Sequence, residues 1–529
     1  MTARRGCAAA ALALFLAAAA RAQNPADAAW ARGDLEAARR LYAERLTADS
    51  SDVRALHRMG LLLSWDGRYA EGIALLDRLL LVAPENGDAR VDRARVLAWA
   101  GRFGESIAGY EEALRRAPGE RQALLGLAQT MAWMDRLDSA RAIYGRLLAA
   151  VPTDLEARQG QARVTAWDGR LIAAEAEWRA ALRRDTANAA SLVGLAQTLR
   201  WQGRPDAARE ALARIPAERR TGRDYQEELR QLDVALGTSG APSVAHETDS
   251  DDNHITTLSL RARRSLRPRL QAGGDFYLRT ATSRAAIAGS RQAWGVMGTG
   301  RYLFEPGWVV SAGLGVSGAD GAASTTEPAL LLGASTPARY RLGGSLTLLR
   351  AAFDATALII ERGVTMTERS LGLRFSPAAR WNLDGSASWT TFEGTESNRR
   401  IAGYFAATRT FAPAWAAVAS VRSLAFAKNL QDGYFDPDFY FQSELTARWR
   451  PVRGRWDVSA EVAPGFQQVG RGAAAQATIR LAARGTWEPV PGRQVGAAAL
   501  YTNAGLQSFA TGAAGYRYVT LAISGSWAF

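Results

Sequence analysis

Residues 518–529 read Tyr-Val-Thr-Leu-Ala-Ile-Ser-Gly-Ser-Trp-Ala-Phe, and their period of two decides the fold of the larger part of the chain. Val519, Leu521, Ile523, Gly525, Trp527 and Phe529 fall on one face; Tyr518, Thr520, Ala522, Ser524, Ser526 and Ala528 fall on the other. Successive side chains of a strand alternate in this way. Working back from the end, the same alternation of Gly, Thr, Ser and aromatic residues runs from residue 239. Strands of about ten residues, apolar outward and polar inward, predict a transmembrane β-barrel. Closure into a ring satisfies all backbone polar groups in lipid, which an open sheet does not. A soluble β-sandwich is the competing reading.

Turn chemistry sets the expected topology. Short links fall at 266–270, 305–308, 336–341, 376–381, 411–415, 451–456 and 488–493. Long polar loops alternate with them at 317–327, 392–398, 428–436 and 505–514, joined by 281–292 and the turn at 249–253. With the C-terminus periplasmic, the short links are periplasmic and the long loops extracellular. The count is about 16 strands, within the range of single-chain barrels. Residues 354–368 stay open between a loop and another hairpin, because Ala357-Leu358-Ile359-Ile360 is apolar without alternation.

A ring of about 16 strands encloses an aqueous lumen unless something plugs it. Alternation turns Arg261, Arg263, Asp275, Tyr277, Asp384 and Tyr440 inward, and likewise Glu444, Arg448, Arg450, Asp457, Glu461, Arg480 and Arg484. Such a mixture can pass a hydroxylated polymer by hydrogen bonding and ring contact, or pair across the wall and stiffen it. From residue 239 onward, 30 Arg and Lys face 21 Asp and Glu. That excess suits a neutral or acidic polysaccharide better than a cationic one. Trp381, Trp389, Trp449, Trp456, Trp487 and Trp527 fall outward, as interfacial girdles do. The acidic turn 249–253 has calcium-loop spacing, but His254 stands where such a loop needs Gly and Leu260 where it needs Glu, so it reads as a surface loop.

Upstream, the period changes to 34. Gly33, Gly67, Gly101, Asp135, Gly169 and Gly203 mark a turn at that interval, with Trp65, Trp99, Trp133, Trp167 and Trp201 two residues before five of them. Small residues repeat at Gly60, Ala94, Ala128, Ala162 and Ala196, and Pro84, Pro118 and Pro152 close three units. Each unit is two helices that approach closely at the small residues and are separated from the next by proline. The layout resembles the tetratricopeptide repeat. Residues 23–215 are expected to form this α-solenoid, 216–238 a capping helix and linker, and 239–529 the barrel. The five tryptophans are expected to fill the inter-helix core; a carbohydrate-stacking ladder is the alternative.

Residues 1–22 read as an export signal: Arg4 and Arg5, an apolar run from Cys7 to Ala20, and Ala20-Arg21-Ala22 as the cleavage site. Export removes nucleic acid as the partner of the +13 net charge. Three histidines and one cysteine in 529 residues supply no metal cluster, catalytic triad or cofactor site. Lys428, the only lysine, follows no phosphate-binding glycine loop. Catalytic residues, metals and cofactors are therefore all expected to be none. An outer-membrane enzyme would draw on Asp275, Glu444 or Glu461 as paired carboxylates.

The terminal pattern Val519, Leu521, Ile523, Trp527, Phe529 resembles the C-terminal signature of outer-membrane barrels, which implies recognition by the barrel-assembly machinery. Repeats followed by a barrel resemble the exopolysaccharide-export porins, typified by the cellulose synthase outer-membrane subunit and the poly-N-acetylglucosamine porin. Gly433-Tyr434-Phe435-Asp436-Pro437, with Tyr440 after it, is similar to a loop of the cellulose-export barrels, and Asp249-Ser250-Asp251 also matches locally. The YaiO-type outer-membrane barrel is a smaller relative of similar kind. The resemblance implies a non-enzymatic porin in the Gram-negative outer membrane. It would export a nascent polysaccharide, with periplasmic repeats docking proteins of a synthesis and export complex or the polymer itself. About six repeats are fewer than such porins often carry. The other function class is an outer-membrane-anchored scaffold or surface receptor with a closed barrel.

Overall fold

Helix–turn–helix pairs and a closed sheet account for nearly all of the regular structure. The computed structural model describes residues 24–505 and 516–529, except 184, 268, 284–286, 305–307, 321–324, 337–340, 379, 413 and 431–432. The expected export signal, and parts of several expected turns and loops, lie outside the described residues. Two compact units divide the chain, Met1–Trp167 and Asp168–Phe529. The division falls within the repeats rather than at the change from helix to strand.

In the first unit the helices are α1 (Pro25–Ala31), α2 (Leu35–Ala48), α3 (Val53–Trp65), α4 (Tyr69–Val82), α5 (Gly87–Trp99), α6 (Phe103–Arg116), α7 (Arg121–Trp133), α8 (Leu137–Ala150) and α9 (Leu155–Trp167). Asp52, Asn86, Glu120 and Asp154, 34 residues apart, each accept a backbone N–H at the start of α3, α5, α7 and α9. Gly33, Gly67 and Gly101 hold φ between +74° and +80°, and Asp135 holds +61°. A left-handed residue there ends one helix and aims the chain into the next. Tyr42, Leu76, Tyr110 and Tyr144, again 34 apart, are buried between successive helices.

The expected tryptophan core is therefore corrected. Trp65, Trp133 and Trp167 are 50%, 43% and 37% exposed, and Trp99 is half-buried. Each sits on the last residue of its helix, beyond the layer where Tyr110 and Tyr144 fill the inter-helix space. In the second unit Trp201 is likewise half-buried, whereas Trp178 is buried.

The second unit opens with α10 (Leu171–Ala181), α11 (Ala189–Trp201), α12 (Pro205–Ala213) and α13 (Arg223–Leu236). The last is the expected capping helix. Leu232 is buried, and Glu228 accepts both arms of the Arg200 guanidinium from α11 at 2.7 and 3.0 Å. Strands follow: β1 (Ser239–Asp249), β2 (Asn253–Arg267), β3 (Leu270–Ser283), β4 (Ile287–Leu303), β5 (Val309–Ala319), β6 (Thr325–Ser335), β7 (Leu342–Ala352) and β8 (Thr365–Ala378). The ring continues through β9 (Trp381–Glu393), β10 (Asn398–Ala412), β11 (Trp415–Phe426), β12 (Tyr440–Trp449, resumed at Val452–Arg453), β13 (Trp456–Val469), β14 (Gln476–Val490), β15 (Arg493–Thr502) and β16 (Tyr518–Ala528).

Every strand pairs antiparallel with its neighbours, and β1 pairs with β16, Val244 opposite Ile523 and Asp249 opposite Tyr518. The result is a closed ring of 16 strands, with the Phe529 N–H donating to Thr238 O at 2.7 Å at the seam. No described helix is long and apolar enough to cross a membrane. The strands carry the apolar exterior instead: Leu314, Ile401, Leu445 and Ile523 are each more than 60% exposed. Around the short-turn end, Trp415 faces Trp449 at 6.4 Å and Trp456 stacks on Trp487 at 6.1 Å. Val519, Leu521 and Ile523 face outward as expected, Phe529 is 84% exposed, and the Trp527 ring covers Gly525.

Candidate functional site

The open question at 354–368 is settled by a short helix, α14 (Ala357–Arg362), between β7 and β8. Thr356 caps it by accepting the Ile359 N–H, and Gly363 ends it at φ +60°. This helix lies inside the ring. Ala357 and Ile360 pack against Ile255 on β2, Ala281 on β3 and Ala293 on β4. Ile359 and Val364 pack against Phe392 on β9, Leu424 and Phe426 on β11 and Tyr440 on β12. Strands β2–β4 and β9–β12 are opposite arcs of the ring, so the segment spans the lumen.

Two ion pairs fasten it to the first arc. Arg279 donates to Asp354 at 2.6 Å, and Arg291 pairs with Glu361. On the other side the loop after β11 folds in to meet it. Thr356 donates to Gly433 O at 3.0 Å, and a side chain on Gly433, at φ +92°, would strike Leu358. Tyr434 stacks on Phe392 with ring centres 5.1 Å apart, and Phe353 lies 5.9 Å from Tyr434. Asn398 donates to the Tyr434 hydroxyl at 3.3 Å and to Lys428 O at 2.9 Å. The motif 433–437 is thus part of an aromatic seal at the long-loop end of the lumen.

Below the seal, the side chains assigned to the lumen by alternation are inward, and most are paired. Arg448 donates to Glu461 at 2.6 Å; Arg480 reaches Glu461 at 2.9 Å and Glu444 at 3.2 Å. Arg450 makes a two-armed pair with Asp457 at 2.9 and 2.8 Å, and Arg484 faces the same carboxylate. Arg261 holds Asp275 at 2.6 Å, and Arg374 holds Asp384 at 2.7 Å. Arg263 is exposed beside Arg301. The Tyr277 ring fills the space over Gly295, its hydroxyl turned to Asp354. Cross-wall pairing therefore accounts for these charges in this closed form.

Tyr440 departs from the expected polymer path. It is fully buried, edge-on to Phe435 at 5.4 Å, and belongs to the seal. Arg374 and Tyr404 were missed by sequence reasoning. With Asp384, Asn382, Ser345 and Ser386 they line a cavity of about 600 Å³ toward the short-turn end. Gly343 and Gly372 supply its floor, since a side chain on Gly372 would meet Ser345 Oγ.

The first unit carries a second concavity, of about 300 Å³, on α5, α7 and α9. Trp99 and Trp133 stand at its edge with Arg95, Gln129 and Arg163. Its floor is Gly126 and Gly160, under the rings of Tyr110 and Tyr144. Burial pushes the Tyr144 phenol up to about 12, so it stays protonated across the physiological range.

Residues 97–164 and 168–232 match the tetratricopeptide repeat family. No curated protein matches the chain. Among solved structures, a bacterial polysaccharide outer membrane secretin is similar at 12% identity, over 56% of this chain and 99% of that one, with a TM-score of 0.45. A tetratricopeptide repeat protein from Parabacteroides merdae is similar at 17% identity, over 40% and 82%, with a TM-score of 0.37. PilW, a type IV pilus biogenesis factor, is similar at 20% identity, over 39% and 94%, with a TM-score of 0.34. Helix pairs, their 34-residue period and the family match together make this chain a run of tetratricopeptide repeats followed by a closed 16-stranded barrel.

Proposed function

We propose that this chain is an outer-membrane conduit for nascent polysaccharide, closed at rest, whose repeats dock a partner on the periplasmic side. The observation that carries the reading is the nature of the closure. The wall side chains leave the lumen with a polar cavity, and what seals it is a loop carrying one short helix together with the loop after β11. The paired Arg, Asp and Glu stiffen the wall in either reading, whereas a separate seal is needed only where the lumen beneath it would otherwise be open. The apolar exterior and the tryptophans at the short-turn end suit a bilayer. The conduit is passive in this reading, and synthesis elsewhere supplies the driving force. The charge balance of the barrel suits a neutral or acidic polymer, and the exposed terminal face from Val519 to Phe529 suits recognition by the assembly machinery.

The aromatic seal itself favours the second reading, an anchored scaffold or surface receptor. Ion current through the full chain in a planar bilayer separates the two. A conduit gives infrequent openings that become a steady current when residues 355–362 are replaced by a Gly-Ser linker, and oligosaccharides block that current. A folded linker variant that stays silent defeats the conduit and leaves the scaffold.

A further inference from the structure

We propose that the outer face of β7–β10, at the long-loop end of the barrel, holds a phosphorylated, acylated lipid of the outer leaflet. The leaflet rests on the outer-membrane reading above, whereas the chemistry of the site is the wall's own.

Three observations point to such a lipid. The first is a group of outward arginines. Alternation turns Arg350 outward with Leu346, Arg369 with Leu371 and Arg399 with Ile401, each of these apolar partners being exposed. Register brings the arginines together. Arg350 stands opposite Thr367, Thr367 opposite Thr391, and Thr391 opposite Arg399. Arg369 lies in the next row toward the middle of the wall, opposite Leu348 and Trp389. With strands about 4.8 Å apart, Arg350 and Arg399 are separated by about 14 Å, and Arg369 lies between them. Among the described strand residues, no other arginine is turned outward at this end.

The second observation is unmet charge. Arg369 and Arg399 have no ion pair or side-chain hydrogen bond among the described residues, and Arg350 has one carboxylate, Glu393, at 3.5 Å. At the opposite end of the strands the outward Arg409 is instead covered by the Trp381 and Phe411 rings, at 5.4 and 5.5 Å. A guanidinium on an apolar outer face is unfavourable unless an anion meets it. Three guanidinium groups to one carboxylate suit phosphate, which each can grip with two parallel N–H donors.

The third is an apolar groove directly beneath. It has a volume of about 770 Å³ and is lined by Val310, Leu332, Leu346, Leu348, Leu371 and Ile401. Arg369 and Trp389 stand in its row nearest the long-loop end. Ala312, Ala334 and Ala387 leave the hollow between the larger side chains. An acyl chain laid in this groove carries its phosphate to the arginines, so one molecule meets both halves of the site. A second copy of this chain fits less well, because a two-fold contact would set one cationic patch against the other.

The test uses the full chain in a non-ionic detergent and native mass spectrometry with added diphosphoryl lipid A, phosphatidylethanolamine or inorganic phosphate. Lipid A is expected to be retained at one per chain, and phosphatidylethanolamine far less. Arg369→Gln combined with Arg399→Gln is expected to weaken retention about tenfold. Arg409→Gln, at the other end of the strands, is expected to leave it unchanged. Arg369 and Arg399 are exposed, so their replacement removes no packing, and heat-modifiable migration on a gel confirms the closed barrel of each variant. The inference is overturned if lipid A is retained no better than phosphatidylethanolamine or if the double variant retains it equally. It is also overturned if inorganic phosphate displaces lipid A at equal concentration, which makes the arginines a free-anion site. A dimer of the chain that the double variant dissolves assigns the patch to a second copy and overturns it too. Ion current is not read in this test, so a failed lipid site and a failed conduit are distinguished.

Discussion

Gly101 sits at φ +75° with nothing within 4 Å of where a side chain would start. Gly101→Ala therefore adds no clash and isolates backbone strain, with an expected loss of about 1 kcal/mol from the helical unit, measured by urea titration. Asp154 makes the complementary case for charge. Arg121, bonded to it at 2.7 and 2.8 Å, holds its carboxyl below the usual carboxylate range against the opposing effect of burial. A depressed folded pKa contributes stability that is complete above the unfolded value of about 3.9 and disappears as pH falls through the folded one. Asp154→Asn is expected to cost about 1–2 kcal/mol at pH 7, less than a buried pair because Arg121 is 42% exposed, and progressively less as pH falls below about 4. A loss that does not shrink as pH falls would show that the carboxylate's charge contributes nothing here, since asparagine keeps the helix cap to Ala157. The turn glycines were legible because a left-handed position restricts the residue type. The tryptophans were legible as equivalent to one another but not as open, since a 34-residue period fixes equivalence and is silent about which side of a helix faces the concavity.

At the scale of the element, α14 shows where pattern reading stops. Ala357-Leu358-Ile359-Ile360 has neither the alternation of a strand nor the length of a packed helix, because it is buried by the inner wall on opposite sides at once. Inward loops are apolar for the same reason lipid-facing strands are, so composition does not separate them. The energetics favour closure. Ile359, Ile360 and Val364 bury nearly all their surface, on the order of 2 kcal/mol each before ordering costs. The ion pairs to Arg279 and Arg291 then orient the segment more than they hold it. Ala293 and Ala357 share one cluster across this contact. In a Cys7→Ser background, Ala293→Cys with Ala357→Cys is expected to form a disulfide that abolishes openings in the bilayer and releases them on reduction. Openings that persist in the oxidised, cross-linked protein place the barrier elsewhere.

For the whole molecule, a closed barrel of about 16 strands after the repeats was available from alternation, because register in a half-buried sheet is set by its apolar face. The division after Trp167 was not, since it depends on contacts such as Arg341 with Asp168, 3.3 Å apart and 173 positions distant in the chain. Helical repeats and a closed sheet, held by different kinds of contact, predict two unfolding events. In micelles, urea is expected to remove the helical signal at low concentration, as neighbour-only contacts allow, and to leave the strand signal until far higher concentration. A single coincident transition would contradict that independence. The seal across the ring also bears on the host cell. An empty ring of this circumference in the outer membrane would admit bulky antibiotics and detergents continuously, whatever its cargo. If the barrel is the proposed conduit, closure by Phe392, Tyr434 and Ile359 lets a cell carry many copies and stay resistant, and replacing residues 355–362 is expected to sensitise it to vancomycin-sized drugs.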